Sequence, residues 1–202
     1  MIDRVATRKR ELVEAAYKVF STKGYRTAGV ADIVLETGVS HGTFYNYYDS
    51  KRHILDDVLD YAVELIVDGV VGENQPLEAT SFEELADQFR AMLGRLFALV
   101  EGQPGLVRFT MLDAPAIDDE LVQRLLTLIS KFSVMATAHL DNGVRRGFLH
   151  AGLDTRIAGE GLLSLMMYSV VPTLRRPLTE AERRRLAEAL VGFAFNGIAG
   201  RP

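Results

Sequence analysis

The residues with the clearest chemical signature lie between Ser40 and Tyr48, where the chain reads SHGTFYNYY. Phe44 and Tyr48 are four residues apart, so on a helix they share one face that can turn inward. The remaining side chains point largely outward and include hydroxyls, an imidazole and an amide, with no carboxylate among them. Such groups suit base edges and phosphate oxygens in the major groove of DNA, where a carboxylate would be repelled. The outward-facing residues are Ser40, His41, Thr43, Tyr45, Asn46 and Tyr47.

Two neighbouring residues fit the same chemistry. Gly42 removes a side chain where DNA must approach closely. Lys51, in the first turn of the next helix, can pair with a phosphate that also meets free backbone N–H groups. Two short helices flank Thr37-Gly38-Val39, a tight turn with a glycine. This order of elements predicts a helix-turn-helix, in which Ser40 caps the second helix.

Helical periodicity extends along nearly the whole chain, and no segment has the pattern of paired strands. Gly24 is placed to end the first helix. Ser81-x-x-Glu84 and Thr179-x-x-Glu182 are capping boxes that mark the starts of later helices. The apolar face of the first helix consists of Leu12, Ala16, Val19 and Phe20. We therefore predict an all-α fold of about nine helices.

The formal net charge of −4 conceals an uneven distribution along the chain. Residues 1–53 hold nine Lys and Arg against six Asp and Glu, a balance of +3, while residues 54–202 hold 14 against 21. A basic segment joined to an acidic remainder is typical of a protein whose one end binds nucleic acid. No apolar run is long enough to span a bilayer, and no signal peptide is evident at the N-terminus. These features favour a cytoplasmic protein.

The sequence gives little support to catalysis or to a metal site. The chain has no cysteine, and its four histidines lack the spacing of metal ligands. Neither a nucleophile elbow nor a glycine-rich phosphate loop is present. We therefore expect neither an enzyme nor a bound metal or cofactor.

Residues 8–59 resemble the TetR/AcrR family of bacterial transcriptional regulators. Many positions at fixed spacing carry this resemblance, which makes it more specific than a single short motif. The matching residues are Ala15-Ala16, Phe20, Gly24-Tyr25, Ile33, Gly38-Val39-Ser40, Gly42-Thr43-Phe44-Tyr45, Tyr47-Tyr48 and Ser50-Lys51. Beyond residue 60 only the helical layout is similar.

The resemblance implies a division of labour along the chain. Residues 1–52 would form a three-helix DNA-binding domain with Ser40 to Tyr47 as its recognition helix. Residues 53–202 would form a helical domain that binds an effector and dimerises through the last two helices. The implied function is that of a repressor, which binds a palindromic operator as a homodimer and is released by a small apolar effector. The implied DNA contacts come from His41, Gly42, Thr43 and Tyr45, which meet bases or backbone, and from Tyr47 and Lys51, which meet phosphates.

The chain departs from the family pattern at several positions. Ala28-Gly29 stands where the family commonly has two threonines, so a hydroxyl contact to phosphate is expected to come from the adjacent Thr27. Arg52 stands where glutamate is frequent. The alternative reading is a module of the same fold that binds a ligand or a protein and no longer binds DNA. The complete set of predicted DNA contacts is Thr27, Ser40, His41, Gly42, Thr43, Tyr45, Asn46, Tyr47 and Lys51.

Aromatic and methionine residues recur in the C-terminal part of the chain. Such stripes form either an ordinary core or the wall of a cavity for an apolar effector. In a cavity, His139 or a hydroxyl of Ser133, Thr137 or Tyr168 would orient the ligand. Gly159 and Gly161 would let helices pack closely, as in a four-helix dimer seam. The predicted ligand contacts are Phe89, Met92, Phe109, Phe132, Met135, His139 and Met166.

Overall fold

The computed structural model describes residues 4–71 and 79–196, and within them it confirms an all-α fold without strands. Its helices are α1 (Arg4–Lys23), α2 (Val30–Thr37), α3 (His41–Tyr45), α4 (Lys51–Val70), α5 (Phe82–Gly102), α6 (Pro104–Arg108), α7 (Asp119–Arg146), α8 (Thr155–Arg175) and α9 (Glu180–Asn196). A π-helical turn, Phe109–Asp113, follows α6. Among the described residues, no helix is both long and apolar enough to cross a membrane.

Local signals set several helix ends, as the sequence predicts. Gly38 follows α2 with φ of +70°, a conformation that glycine adopts without strain. The Ser40 hydroxyl accepts a hydrogen bond of 3.1 Å from the backbone N–H of Thr43, which confirms Ser40 as the N-cap of α3. At the start of α9, Thr179 and Glu182 form both hydrogen bonds of a capping box.

The described residues form two compact units. The first unit comprises 4–66 together with 105–125, and the second comprises 67–71, 79–104 and 126–196. The predicted boundary at 52/53 falls within the first turn of α4, which continues beyond it. Because Ile54, Leu55 and Val58 of α4 are fully buried in the core of the first unit, this half of α4 cannot be separated from that core.

Aromatic side chains dominate the core of the first unit. Phe20, Phe44 and Phe109 are fully buried there. The rings of Phe20 and Phe109 lie with their centroids 6.1 Å apart. Phe109 belongs to the segment 105–125, and its ring thus fastens that segment to α1. Gly105 permits the approach, since a Cβ there would stand 2.8 Å from the carbonyl oxygen of Ser21.

In the second unit, α5 packs against α8 and α9 through buried leucine, valine and phenylalanine side chains. Gly159 of α8 lies directly against α7, because a Cβ on it would stand 2.9 Å from the backbone nitrogen of Thr137. Its close packing therefore serves a contact within one chain. Gly161, in contrast, has open space around it.

Candidate nucleic-acid interface and effector cavity

The two sides of α3 differ as the sequence predicts. Phe44 is fully buried and Tyr48, just after the helix, is 1% exposed. Tyr45 is 53% exposed, and its ring meets the Phe44 ring edge-on with centroids 5.4 Å apart. The prediction that Phe44 and Tyr48 face inward is thus confirmed. The exposed Tyr45 hydroxyl is carried by a ring that packs against the buried Phe44 ring.

Of the other predicted DNA contacts, Ser40 to Tyr47 lie on α3 or next to it in sequence, whereas Thr27 lies between α1 and α2 and Lys51 begins α4. The recognition helix is shorter than the resemblance implies, because Ser40 serves as the N-cap and Asn46 and Tyr47 lie in the turn that follows Tyr45. Thr43 and Tyr47 are half-buried. The predicted contacts that the structure leaves exposed are Thr27, Ser40, His41, Gly42, Tyr45 and Asn46.

Tyr48 anchors the end of this surface through its hydroxyl. The hydroxyl donates a 2.6 Å hydrogen bond to the Asp57 carboxylate, which also lies 2.8 Å from the Lys9 ammonium group. Burial and the bond to Asp57 raise the pKa of the Tyr48 hydroxyl. Burial acts to raise the pKa of Asp57, but the hydrogen bonds from Lys9 and Tyr48 hold it below its ordinary value. The charged carboxylate therefore connects α1, α4 and the end of α3.

Lys51 has an intramolecular role that its sequence context did not reveal. Its ammonium group donates hydrogen bonds to the backbone carbonyls of Tyr25, at 2.7 Å, and Ala28, at 2.9 Å. It also lies 4.2 Å from the centre of the Tyr25 ring, within reach of a cation–π interaction. Lys51 thus ties the connection between α1 and α2 to the first turn of α4. The predicted phosphate contact, for which an ammonium group has one further donor, stays a prediction.

Arg52 and Arg124 form a charged network that sequence reasoning missed. Arg52 pairs with Asp118 at 2.8 Å and with Asp56 at 2.9 Å. Arg124 meets the same Asp56 carboxylate at 2.8 Å and also pairs with Asp60. The only signal in the sequence was the unusual arginine at position 52. The network holds the start of α7 against α4 within the first unit.

A narrow cavity of about 60 Å³ lies in the second unit. Six of the seven predicted ligand contacts line it, and the exception is Phe109. Phe109 lies in the core of the first unit, because the π-helical turn after Gly105 directs its ring onto Phe20. The hydroxyls of Ser133, Thr137 and Tyr168 are also absent from the wall. The lining residues are Val70, Val71, Leu85, Phe89, Met92, Phe132, Met135, Ala136, His139, Leu162, Leu163, Met166 and Phe195.

His139 is the one polar residue among the described residues that line this cavity. It is 5% exposed, and its Nδ1 atom has no hydrogen-bond partner in the described part of the protein. Burial lowers the pKa of the imidazole, which favours its neutral form. A buried polar atom without a partner costs about 1–3 kcal/mol of folding stability. In the described part of the protein, His139 thus differs from an ordinary core histidine whose polar atoms are satisfied, and its role as a ligand contact stays a prediction.

No group of three or more His, Cys, Asp or Glu residues in the described ranges is arranged to hold a metal ion. Within those ranges, the outer surface around α3 in the first unit and the cavity around His139 in the second are the features that bear on the predicted function.

Comparison with known proteins agrees with this geometry. Residues 12–58 match the family model for bacterial regulatory proteins of the tetR family. The fatty acid metabolism regulator protein of Bacillus subtilis is 26% identical over 148 residues, which are 73% of this chain and 74% of that protein. The HTH-type transcriptional repressor KstR2 of Rhodococcus jostii is 22% identical over 152 residues, which are 75% of this chain and 72% of the repressor.

Two solved structures share the fold over nearly their full length. FadR from Bacillus halodurans, a fatty acid degradation regulator, gives a TM-score of 0.71 at 21% identity and covers 96% of this chain and 97% of its own. FadR from Bacillus subtilis, in complex with stearoyl-CoA, gives a TM-score of 0.69 at 19% identity and covers 94% and 99%. At these identities the likeness shows the fold.

The position of Lys51 predicts that it stabilises the first unit. Replacing it in Lys51→Met keeps the aliphatic stem but leaves the carbonyls of Tyr25 and Ala28 without their donor. We expect a loss of about 1–3 kcal/mol in the free energy of unfolding, measured by urea denaturation. The control is Lys18→Met, which removes the same charge from an exposed ion pair with Glu36 and should cost at most about 1 kcal/mol. Equal losses in the two variants would contradict the anchoring role.

Proposed function

Because this chain belongs to the TetR family of bacterial regulatory proteins, we propose that it is a ligand-responsive repressor that binds a palindromic operator as a homodimer. It is a transcriptional regulator and not an enzyme. The observation that carries the DNA-binding proposal is the surface around α3, where Tyr45 is exposed on a helix whose other side is fully buried. Since its target is chromosomal DNA, we place its action in the cytoplasm.

The geometry of α3 supports direct contact with DNA. Hydroxyl, imidazole and amide groups lie together on the exposed surface, and Gly42 leaves room there because only the Ser40 hydroxyl oxygen lies within 4 Å of where its Cβ would be. Such groups bond to phosphates and base edges, which together set position and sequence preference. Tyr48 and Lys51 hold this surface from within, so it can meet DNA without first becoming ordered.

An apolar face on α8 and α9 supports the homodimer. Ile157, Tyr168 and Val171 lie on one side of α8 and are 57%, 66% and 41% exposed, and Phe193 of α9 is 52% exposed. A surface groove of about 540 Å³ lies beside this face and includes Gly161 and Phe193 in its wall. A second copy of the chain would cover these side chains. A symmetric pair implies half-sites roughly 34–36 Å apart, or a multiple of one helical turn.

The cavity and the named relatives together support a fatty-acyl effector. The wall is apolar apart from His139, as an acyl chain requires. The Bacillus subtilis relative is named for fatty acid metabolism and Bacillus halodurans FadR for fatty acid degradation, and FadR from Bacillus subtilis was solved with stearoyl-CoA. The relative KstR2 is named a transcriptional repressor, which supports repression of transcription over activation.

The small size of the cavity supplies a physical basis for release from DNA. Its volume of about 60 Å³ is far below the roughly 300–1,000 Å³ typical of ligand pockets. An acyl chain must therefore select or create a state in which the lining helices have moved apart. Both α4 and α7 contribute residues to the two compact units, so a change in either helix reaches the residues that support α3.

Removing the Tyr45 hydroxyl tests the DNA contact. We expect Tyr45→Phe to bind a selected genomic operator about 3–10-fold more weakly, because it loses one hydrogen bond per protomer and keeps the ring. Tyr61→Phe, which loses the hydroxyl of a half-buried α4 tyrosine, should bind like wild type. Fluorescence anisotropy over a range of salt concentrations measures both, and affinity should fall steeply with salt. If no genomic fragment is enriched and all three proteins bind DNA equally weakly, the module that no longer binds DNA becomes the better reading.

A charge placed on the apolar face tests the homodimer. Light scattering of the wild type should give twice the 22.4 kDa of one chain. Tyr168→Glu should shift the protein toward monomer, because the carboxylate would be buried without a partner. Leu126→Glu places the same charge at an exposed apolar position of α7 and should remain dimeric. A monomeric wild type at micromolar concentration would refute the dimer.

Stearoyl-CoA tests the effector. Added to the protein–operator complex, it should weaken operator binding, whereas CoA alone should not. By reciprocity, saturating operator must weaken stearoyl-CoA binding by the same factor. Met166→Trp, which fills the cavity, should still bind operator and resist release. Stearoyl-CoA binding that leaves operator affinity unchanged would show that the acyl chain is not the effector.

A further inference from the structure

The unpartnered nitrogen of His139 is the most specific chemical feature of the cavity. Nδ1 is buried within a wall that is otherwise built, in the part of the chain that the structure describes, from aliphatic, aromatic and methionine side chains. Buried polar atoms are nearly always hydrogen-bonded, so an exception calls for an explanation. A ligand that supplies the missing partner is such an explanation.

We propose that the cavity binds an acyl ester or thioester through its uncharged carbonyl group, whose oxygen accepts a hydrogen bond from the Nδ1–H of His139. This proposal rests on the proposed function, in which a fatty-acyl group is the effector. It adds that the group bound in the cavity is an uncharged carbonyl, and that His139 is the residue that binds it. The hydrocarbon chain lies against the remaining wall, where Met92, Met135 and Met166 can change rotamer to make room.

The electrostatics of the wall favour a carbonyl over a carboxylate. Among the described residues that line the cavity there is no lysine or arginine, and His139 is the one titratable group. The lowered pKa of the buried imidazole is consistent with a neutral donor. A carboxylate brought here would lose its hydration and find no opposite charge. An ester or thioester carbonyl needs only one donor, and Nδ1–H supplies it.

A water molecule is a poorer occupant than a carbonyl. A buried water molecule is held by two to four polar partners, whereas the described residues of this wall offer one, the imidazole of His139. A carbonyl group carries its own apolar chain, so it satisfies the nitrogen and fills the remaining space together. The wall therefore suits both the carbonyl group and the hydrocarbon chain of an acyl ester.

The test compares two ligands that differ at the carbonyl alone. Stearoyl-CoA and its thioether analogue S-octadecyl-CoA are titrated by calorimetry into the full-length wild type, His139→Leu and His53→Leu, which makes the same change on α4 in the first unit and outside the cavity wall. Wild type and His53→Leu should prefer stearoyl-CoA by about tenfold, and His139→Leu should bind the two ligands equally. Without ligand, His139→Leu should unfold at a temperature no lower than wild type, because the unpartnered nitrogen is gone.

A second pair of ligands tests the uncharged state. Methyl laurate should bind the wild type more tightly than laurate at pH 8. Laurate binding as tight as that of the ester would overturn the assignment to an uncharged carbonyl.

The outcomes separate the two proposals. If the wild type binds stearoyl-CoA and S-octadecyl-CoA equally, the role of His139 is refuted while the acyl effector stands, and this comparison needs no variant to fold. If the wild type binds neither CoA ligand, the acyl effector itself fails, and the assignment of His139 fails with it.

Discussion

Phe44 and Tyr48 impose the constraint on which the exposed surface around α3, the proposed DNA contact, depends. The helix that follows Ser40, α3, contains Phe44 and is five residues long. Isolated helices shorter than about 12–15 residues are marginal in water, so α3 persists because its inner side is packed and its ends are bonded. The cap at Ser40 fixes one end and the bond from Tyr48 to Asp57 fixes the other. The buried side chains of Phe44 and Tyr48 therefore determine where the exposed side chains of α3 lie.

The same dependence extends outward to the segments that support α3. Lys51 fixes the connection before α2, and the pairs of Arg52 and Arg124 hold the start of α7 on α4. Each of these ion pairs is partly exposed, and such pairs contribute little stability individually. Their value lies in geometry, since a helix end held by several weak contacts can change position at small cost.

Local patterns in the sequence predicted the parts of the structure that depend on local rules. The N-cap at Ser40, the left-handed Gly38 and the inward face of Phe44 and Tyr48 follow from spacing and residue type. Six of the seven predicted cavity residues also follow from the apolar stripes of α5, α7 and α8. Phe109 was misplaced because residue type alone does not say which core a ring enters. Its position is decided by the π-helical turn and the contact with Phe20, which join distant parts of the chain.

The hydrogen bonds of Lys51, like the position of Phe109, could not be predicted from the local sequence. Its place after Tyr48 predicts a cation close to DNA, and nothing nearby in sequence points to Tyr25 and Ala28. The grouping of 105–125 with the first unit likewise depends on contacts between residues far apart in sequence, such as Arg52 with Asp118, which are about a third of the chain apart. Spacing can predict which side of a helix is exposed, but it cannot predict which remote segment meets that helix.

The ion pairs of α1 bear on how this protein would attract DNA. Residues 1–53 carry a balance of +3, yet Arg8 pairs with Glu11, Lys9 with Asp57 and Arg10 with Glu14. These cations are therefore already partly neutralised within the first unit. Attraction over long distance must then be weaker than the number of basic residues implies, because nearby carboxylates cancel much of their field. Under the proposed function, hydroxyl, amide and backbone groups around α3 would consequently supply a larger share of the affinity for DNA.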